Sequence, residues 1–334
     1  MPAYFGLDIG STSVKLAYSD GNNIKALGLA VNNLGKDVMV MTNQERLLMV
    51  DIIKNLVKES GIKQRQVVAS IPEALVYSRV LKFPLMSTPE LASAIKWELD
   101  QTVPFPPDEI EVSWVVLSKP ERVMGNEKIS VYVVAVPTKV SDLYIDLLEL
   151  AGLEVIRLEN EVPAIAKAFS SSLSDQSPSM IVNIGASGTR IVLSGKDILY
   201  GNYFMPVGGM ALTKYVADNF NLPIAQAENY KRTYGMAKEQ LEGKMYTALK
   251  PVVDGVIAEI RKMIVSYQNE NKGGYVNKLI LTGGGSYMNG LLAYFSENMT
   301  NMEVFVGDPF AGKSVSEKYK GYGPIYDIAY GLSL

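Results

Sequence analysis

The chain contains no histidine and no cysteine among its 334 residues. Without histidine there is no Ser-His-Asp triad, no imidazole metal site and no imidazole acid–base catalysis. Without cysteine there is no disulfide framework and no thiol nucleophile. No stretch approaches the roughly 18 consecutive apolar residues that a membrane-spanning helix needs. Net charge is small as well, with 32 basic against 35 acidic side chains, which gives no electrostatic case for nucleic acid. The N-terminus enters an apolar strand directly, with no basic start and apolar signal region, so a cytoplasmic home is expected. Chemistry must then rest on carboxylates, lysines, hydroxyls, backbone amides or a bound metal. That set suits phosphate handling, where positioning and electrostatics dominate.

What the chain does have is a repeated turn. Phe5-Gly-Leu-Asp-Ile-Gly-Ser-Thr-Ser-Val-Lys-Leu16 and Met180-Ile-Val-Asn-Ile-Gly-Ala-Ser-Gly-Thr-Arg-Ile-Val-Leu193 share one plan. Each is an apolar strand, a polar residue (Asp8, Asn183), a glycine turn (Gly10, Gly185), hydroxyls and a second β-branched strand. Asp8 and Asn183 are 175 positions apart (183 − 8), so one half of the chain echoes the other. Two such turns facing each other form a clamp whose backbone N–H groups converge on phosphates. Glycine permits a close backbone approach. Ser11, Thr12, Ser187 and Thr189 can donate hydrogen bonds, and Lys15 adds a cation. One copy alone is weak evidence, because strand–Gly–strand is also an ordinary hairpin.

A third segment, Lys278-Leu-Ile-Leu-Thr-Gly-Gly-Gly-Ser286, is a buried-strand run ending in a glycine turn before an expected helix at 287–295. Bare backbone there lets a flat ring lie close, and a helix N-terminus favours anions. A tight strand-to-helix connection explains the segment equally well. Together the three segments resemble the phosphate-1, phosphate-2 and adenosine motifs of the superfamily of actin, sugar kinases and heat-shock chaperones.

Periodicity predicts an α/β chain with two lobes. Strands are expected at 3–9, 12–19 and 23–31, a helix at 44–60 stopped by Gly61, and a strand at 66–71. Residues 77–151 read as an inserted β-α-β-β-α module of roughly 75 residues. It has a proline-rich loop at Val103-Pro-Phe-Pro-Pro107 and a turn at Arg122-Val-Met-Gly-Asn126. Ser170 to Ser177 reads as a linker between lobes, and Gly21-Asn22 as a turn. Helices are expected at 208–220, 223–234 and 237–270. The last carries a core-facing apolar stripe and a kink at Pro251. A short helix is expected at 325–332.

Within the superfamily, Ala69-Ser-Ile-Pro72, Arg79-Val-Leu-Lys-Phe-Pro84, Ala94-Ile-Lys-Trp-Glu98 and Val103-Pro-Phe-Pro106 resemble the PilM family. These are actin-like cytoplasmic proteins of type IV pilus assembly, related to FtsA. The resemblance implies a two-lobed actin/chaperone-type ATPase fold with mixed sheets and an inserted FtsA-like 1C subdomain. It divides the chain into 1-76, 152-171 and 324-334 for the first lobe and 77-151 for the module. The second lobe takes 172-207 and 271-323, and a helical subdomain takes 208-270. It implies ATP and Mg²⁺. Gly10, Ser11, Thr12 and Lys15 are the implied phosphate-1 contacts, and Gly185, Ser187, Gly188 and Thr189 the phosphate-2 contacts. Gly283, Gly284, Gly285 and Ser286 form the implied adenosine loop. Glu228 and Lys231 resemble the helix pair that holds adenine and ribose, and read equally as an intrahelical ion pair. Gly208 and Gly209 resemble a phosphate-side turn, and read equally as a helix start.

Asp8 and Asn183 are the implied metal side chains, acting through water. The superfamily expects aspartate at 183, so weak or absent ATPase activity is expected. Glu161 sits where chaperone relatives carry a water-positioning carboxylate, or is simply a helix-start acid. The implied partner is the cytoplasmic N-terminal peptide of PilN, held in a groove between the first lobe and the module, with membrane association through partners. Self-association stays open. A small-molecule kinase and an FtsA-like filament are the alternatives. Against the filament, the chain ends at Gly331-Leu-Ser-Leu334 with no room for a C-terminal membrane helix.

Overall fold

The computed structural model describes residues 4–21, 23–119, 128–174, 177–271 and 273–334. The expected turn at 122–126, Asn22 and residues 175–176 of the expected linker lie outside the described residues. The first lobe is built on β1 (Tyr4–Ile9), β2 (Ser13–Ser19), β3 (Ile24–Val31), β4 (Gln66–Ile71) and β8 (Glu154–Asn160), in the order β3-β2-β1-β4-β8. The second uses β9 (Ser179–Ile184), β10 (Thr189–Ser194), β11 (Leu199–Met205), β12 (Lys278–Thr282) and β13 (Glu303–Val306), in the order β11-β10-β9-β12-β13. Strand for strand the two sheets match. In each, an antiparallel meander adjoins two parallel strands. The central strands are covered on both faces, which is why they read as unbroken apolar runs.

Each sheet covers its outer face with helices. On the first, α1 (Asn43–Ser60) starts with a Thr42–Glu45 capping box and stops at Gly61, whose φ is 71°. It buries Met49, Ile53 and Leu56. On the second lie α5 (Gly209–Phe220), α6 (Ile224–Tyr234), α7 (Lys244–Glu270) and α8 (Leu291–Asn298). Between the sheets sit α4 (Glu161–Phe169) and α9 (Asp327–Leu332). Ala164, Ile165, Ala329 and Leu332 from these helices join Val68, Ile181, Val192 and Ile280 in one core shared by both lobes. A Cβ on Gly331 would lie 1.9 Å from the Ala164 carbonyl oxygen, so only glycine permits this helix crossing.

The inserted module is a three-stranded sheet of β5 (Tyr77–Phe83), β7 (Ile129–Pro137) and β6 (Ile110–Ser118), in that order, with α2 (Thr88–Thr102) packed on it. Its expected closing helix belongs elsewhere. The helix α3 (Thr138–Leu150) buries Val140, Tyr144, Leu147 and Leu148 in the first lobe's core beside Met49 and Ile53. The module is therefore β-α-β-β.

Two further boundaries differ from expectation. The long helix begins at Lys244 rather than 237, because Leu241, Glu242 and Gly243 take left-handed φ of 49°, 54° and 71°. Pro251 lies inside its continuous span. The segment after the triple glycine is a single 3-10 turn, Gly284–Tyr287, and α8 starts only after Gly290, whose φ is 74°.

Candidate functional site

The two repeated turns meet across a cavity of about 680 Å³ between the lobes. Strand register makes the hairpins equivalent. Asp8 on β1 stands opposite Lys15 on β2, and Asn183 on β9 stands opposite Arg190 on β10. Gly10, Ser11 and Thr12 line one wall, and Gly185 and Ser187 the other.

The first hairpin is electrostatically closed on itself. Lys15 Nζ lies 2.9 Å from Asp8 Oδ2, and the Ser70 hydroxyl donates to Asp8 Oδ1 at 3.2 Å.

The second hairpin reaches into the first lobe twice. Arg190 grips Glu161 with two bonds, Nε to Oε2 at 2.7 Å and Nη2 to Oε1 at 2.6 Å. Its Nη1 donates to the Gly188 carbonyl at 3.1 Å, which ties the turn to the staple. Asn183 Nδ2 donates to Asp327 Oδ2 at 2.7 Å, and the Thr282 hydroxyl donates to the same oxygen at 2.9 Å. Asn183 Oδ1 is buried without a partner. Burial pushes the Asp327 carboxyl up to about 6.

Glu161 opens α4, lines the cavity and is 3% exposed. Besides Arg190 it accepts the Glu73 backbone N–H at 2.7 Å, so both its oxygens are engaged. Burial raises its carboxyl, and Arg190 opposes that rise. Beside it, Glu73 accepts from the Ser78 hydroxyl of the module, from Asn160 of the first lobe and from Asn202 of the second. Burial pushes Glu73 up to about 7. Three parts of the molecule therefore meet at one buried carboxyl.

A third wall of the cavity is bare backbone. Gly283, Gly284 and Gly285 line the cavity. Gly283 has φ 77°, and a Cβ on Gly285 would lie 2.3 Å from Ile184. A Cβ on Gly284 would meet nothing within 4 Å. Opposite, Glu228 and Lys231 form an ion pair of 2.7 Å at i, i+3 and also line the cavity. Lys231 further donates to the Gly209 carbonyl at 2.9 Å and to the Thr213 hydroxyl at 2.8 Å, bracing the start of α5. Burial alone would raise Glu228, but Lys231, Thr213 and Arg232 outweigh it and hold the carboxyl down to about 2.

Four expected contacts point elsewhere. The Thr189 hydroxyl donates to the Val207 carbonyl at 2.7 Å and is buried away from the cavity. The Ser286 hydroxyl donates to the Gly283 carbonyl at 2.7 Å, so it shapes the turn rather than facing a ligand. Gly188 packs against Phe204, where a Cβ would lie 2.4 Å from the ring. Gly208 caps α5 and abuts the Gly185 carbonyl, leaving 2.6 Å for a Cβ. Gly209 does line the cavity, but its N–H is used on the Gly185 carbonyl at 2.9 Å. Sequence reading assigned no role to Arg190 or Asp327, and Tyr287 and Arg232 also line the cavity unforeseen.

A separate cavity of about 1490 Å³ runs between β5 of the module and β11 and α7 of the second lobe, and none of the glycine turns lines it.

The chain matches the family of the type IV pilus assembly protein PilM over residues 6–334. It belongs to that family. The solved PilM-PilN type IV pilus biogenesis complex is 24% identical, covers 99% of this chain and 98% of the other, and aligns with a TM-score of 0.83. MreB 5 of Spiroplasma citri, solved with AMPPNP, is 12% identical, covers 98% of this chain and 94% of its own, and aligns at 0.51. These likenesses establish the two-lobed fold. The ethanolamine utilization protein EutJ of Salmonella typhimurium is 28% identical over 160 residues, 48% of this chain and 50% of EutJ. The chain thus spans about half the length of the curated relatives it matches.

Among the described residues no helix is long and apolar enough to cross a membrane, and no three acidic side chains gather as a ready metal cage. The cleft nevertheless fits a nucleotide with a hydrated cation. It offers glycine turns on opposite walls, an open face at Gly284, and an orphaned buried acceptor at Asn183 Oδ1.

Proposed function

We propose that this protein is an ATP-binding scaffold of type IV pilus or related type II secretion assembly, and that it binds the cytoplasmic N-terminal peptide of PilN. The observation that carries the reading is the pair of equivalent glycine turns facing each other across the interlobe cavity. In this reading the phosphates lie between Gly10–Thr12, with Lys15, and Gly185–Ser187. The nucleoside lies against Gly283–Gly285, with Glu228 and Lys231 opposite. Mg²⁺ is held through water near Asp8 and Asn183. Hydrolysis is slow, because both Glu161 oxygens are committed to Arg190 and Glu73 and residue 183 is neutral. Membrane association runs through partners.

The module supports the peptide reading. Its outer strand β6 is a sheet edge and exposes Val112, Val115 and Val116. An apolar edge strand is a template for an added peptide strand. Phe105, in the proline loop, is half-buried.

A synthetic peptide of about ten PilN N-terminal residues, titrated into the full chain with ATP present, tests the reading. Val115 is exposed, so Val115→Glu leaves the core intact. The variant is expected to bind the peptide at least about tenfold more weakly, while ATP affinity holds. Unchanged peptide affinity would overturn the β6 assignment. Loss on Tyr267→Ala instead would move the peptide to the cavity between the module and α7.

A further inference from the structure

The second hairpin lacks the acid that its twin carries, yet the cavity floor does not lack a second acid. Asp327 opens α9 in the first lobe, is 2% exposed and lines the cavity. Its Oδ2 accepts from Asn183 Nδ2 at 2.7 Å and from the Thr282 hydroxyl at 2.9 Å, and its Oδ1 accepts the Ile328 N–H at 2.8 Å. Every donor on it is neutral. Lys15 is committed to Asp8 and Arg190 to Glu161. Among the described residues Asp327 therefore has no cationic partner.

A carboxylate this buried calls for a positive charge. The bond to Asp327 also fixes how Asn183 stands. Its nitrogen faces the carboxylate, so its oxygen faces the other way. Asn183 is 2% exposed and lines the cavity, and that oxygen has no donor. Asp8 lines the same cavity.

We propose that Asp327 supplies from the first lobe the negative charge that residue 183 lacks. It forms, with Asn183 Oδ1 and Asp8, an acceptor site for the water shell of a divalent cation that enters with the nucleotide. The chemistry matches: Mg²⁺ dehydrates reluctantly, keeps several waters, and is held by one or two carboxylates plus ligand phosphates. Asn183 is then not a simple loss. It is the neutral half of an amide–carboxylate pair whose acid sits on the opposite lobe. This inference rests on the nucleotide reading above.

The test is ATP affinity by calorimetry, with Mg²⁺ and with EDTA, in the full chain and in Asp327→Asn, Asn183→Asp and the double exchange. In the parent, Mg²⁺ is expected to tighten ATP. Asp327→Asn should lose about tenfold of that enhancement, whereas its metal-free affinity should not fall, because the substitution preserves shape and removes a negative charge from beside the phosphates. Asn183→Asp sets two carboxylates in contact and should lower the melting temperature without metal. The double exchange keeps one acid and one amide at the contact and should restore the enhancement to within about threefold of the parent.

A purely packing role for Asp327 predicts equal losses with and without Mg²⁺, and that result overturns the proposal. Should Asp327→Asn not fold, the double exchange decides alone: restored enhancement supports the proposal and lost enhancement overturns it. A parent that binds ATP equally with and without Mg²⁺ overturns this inference and leaves the nucleotide reading standing. A parent that binds no ATP overturns both.

Discussion

The two glycine hairpins share strand order, register and turn, but they spend their charges differently. Asp8 and Lys15 neutralise each other across β1 and β2, within one lobe. At the equivalent positions Asn183 and Arg190 ignore each other and reach to Asp327 and Glu161 on the first lobe. One substitution of charge type explains the contrast. With no acid at 183, Arg190 has no acidic partner on its own hairpin, only the Gly188 carbonyl, and pairs with Glu161 instead. The first hairpin is a self-contained wall, and the second is a staple between lobes. A nucleotide entering between them would meet a joint already held closed at its floor.

The largest effect that can break this comparison comes from removing one cation from each hairpin. Arg190→Met strands a fully buried Glu161, and breaking such a pair costs about 3–5 kcal/mol. Lys15→Met leaves Asp8 with the Ser70 hydroxyl, and a cost of about 1.5–3 kcal/mol is expected, as for a hydrogen bond to a charged group. Denaturant unfolding of both variants measures the difference. Equal costs would show that the staple carries no special load and that the hairpins are equivalent in energy as well as in register.

A smaller effect sharpens the account at the point where the module joins both lobes. The Glu73 carboxyl rises from 4.5 to about 7 on folding because of burial. The folded state therefore holds this proton more tightly than the unfolded chain. The stability contributed is fully present below about pH 4.5 and is lost as pH rises through about 7. Asp327, raised by burial to about 6, acts with the same sign. Glu73→Gln should therefore make the fall in melting temperature between about pH 5 and pH 8 shallower without abolishing it. A fall as steep as the parent's would show that Glu73 is not protonated in the fold.

Much of this was legible because it is local. The turns at Gly10 and Gly185 and the Gly61 stop are read within a few residues. The repeat made the doubled sheet predictable, since equal hairpins in one chain imply equal sheets. What stayed hidden depends on distance or direction. Asp327 and Asn183 are 144 positions apart, so no spacing rule joins them. Arg190 was visible as a strand residue, but its partner Glu161 was visible only as a helix start. Thr189 carries the right hydroxyl in the right motif, yet strand geometry turns it to the Val207 carbonyl. The helix α3 follows the module in sequence, but its apolar face, Tyr144 above all, fits the first lobe's core. Deleting 77–151 would therefore damage that lobe, whereas a substitution on β6 does not.

The central claim is that a nucleotide lies against the bare backbone at Gly284. Gly284 has an ordinary φ and open space where a Cβ would stand, so Gly284→Val can fold as the parent does. Calorimetric titration of parent and variant with Mg·ATP, alongside their melting curves, tests the claim most directly. The account predicts saturable binding to the parent and at least about tenfold weaker binding to a variant of unchanged melting temperature, a difference of about 1.4 kcal/mol or more. Equal affinity in the two folded proteins would contradict it.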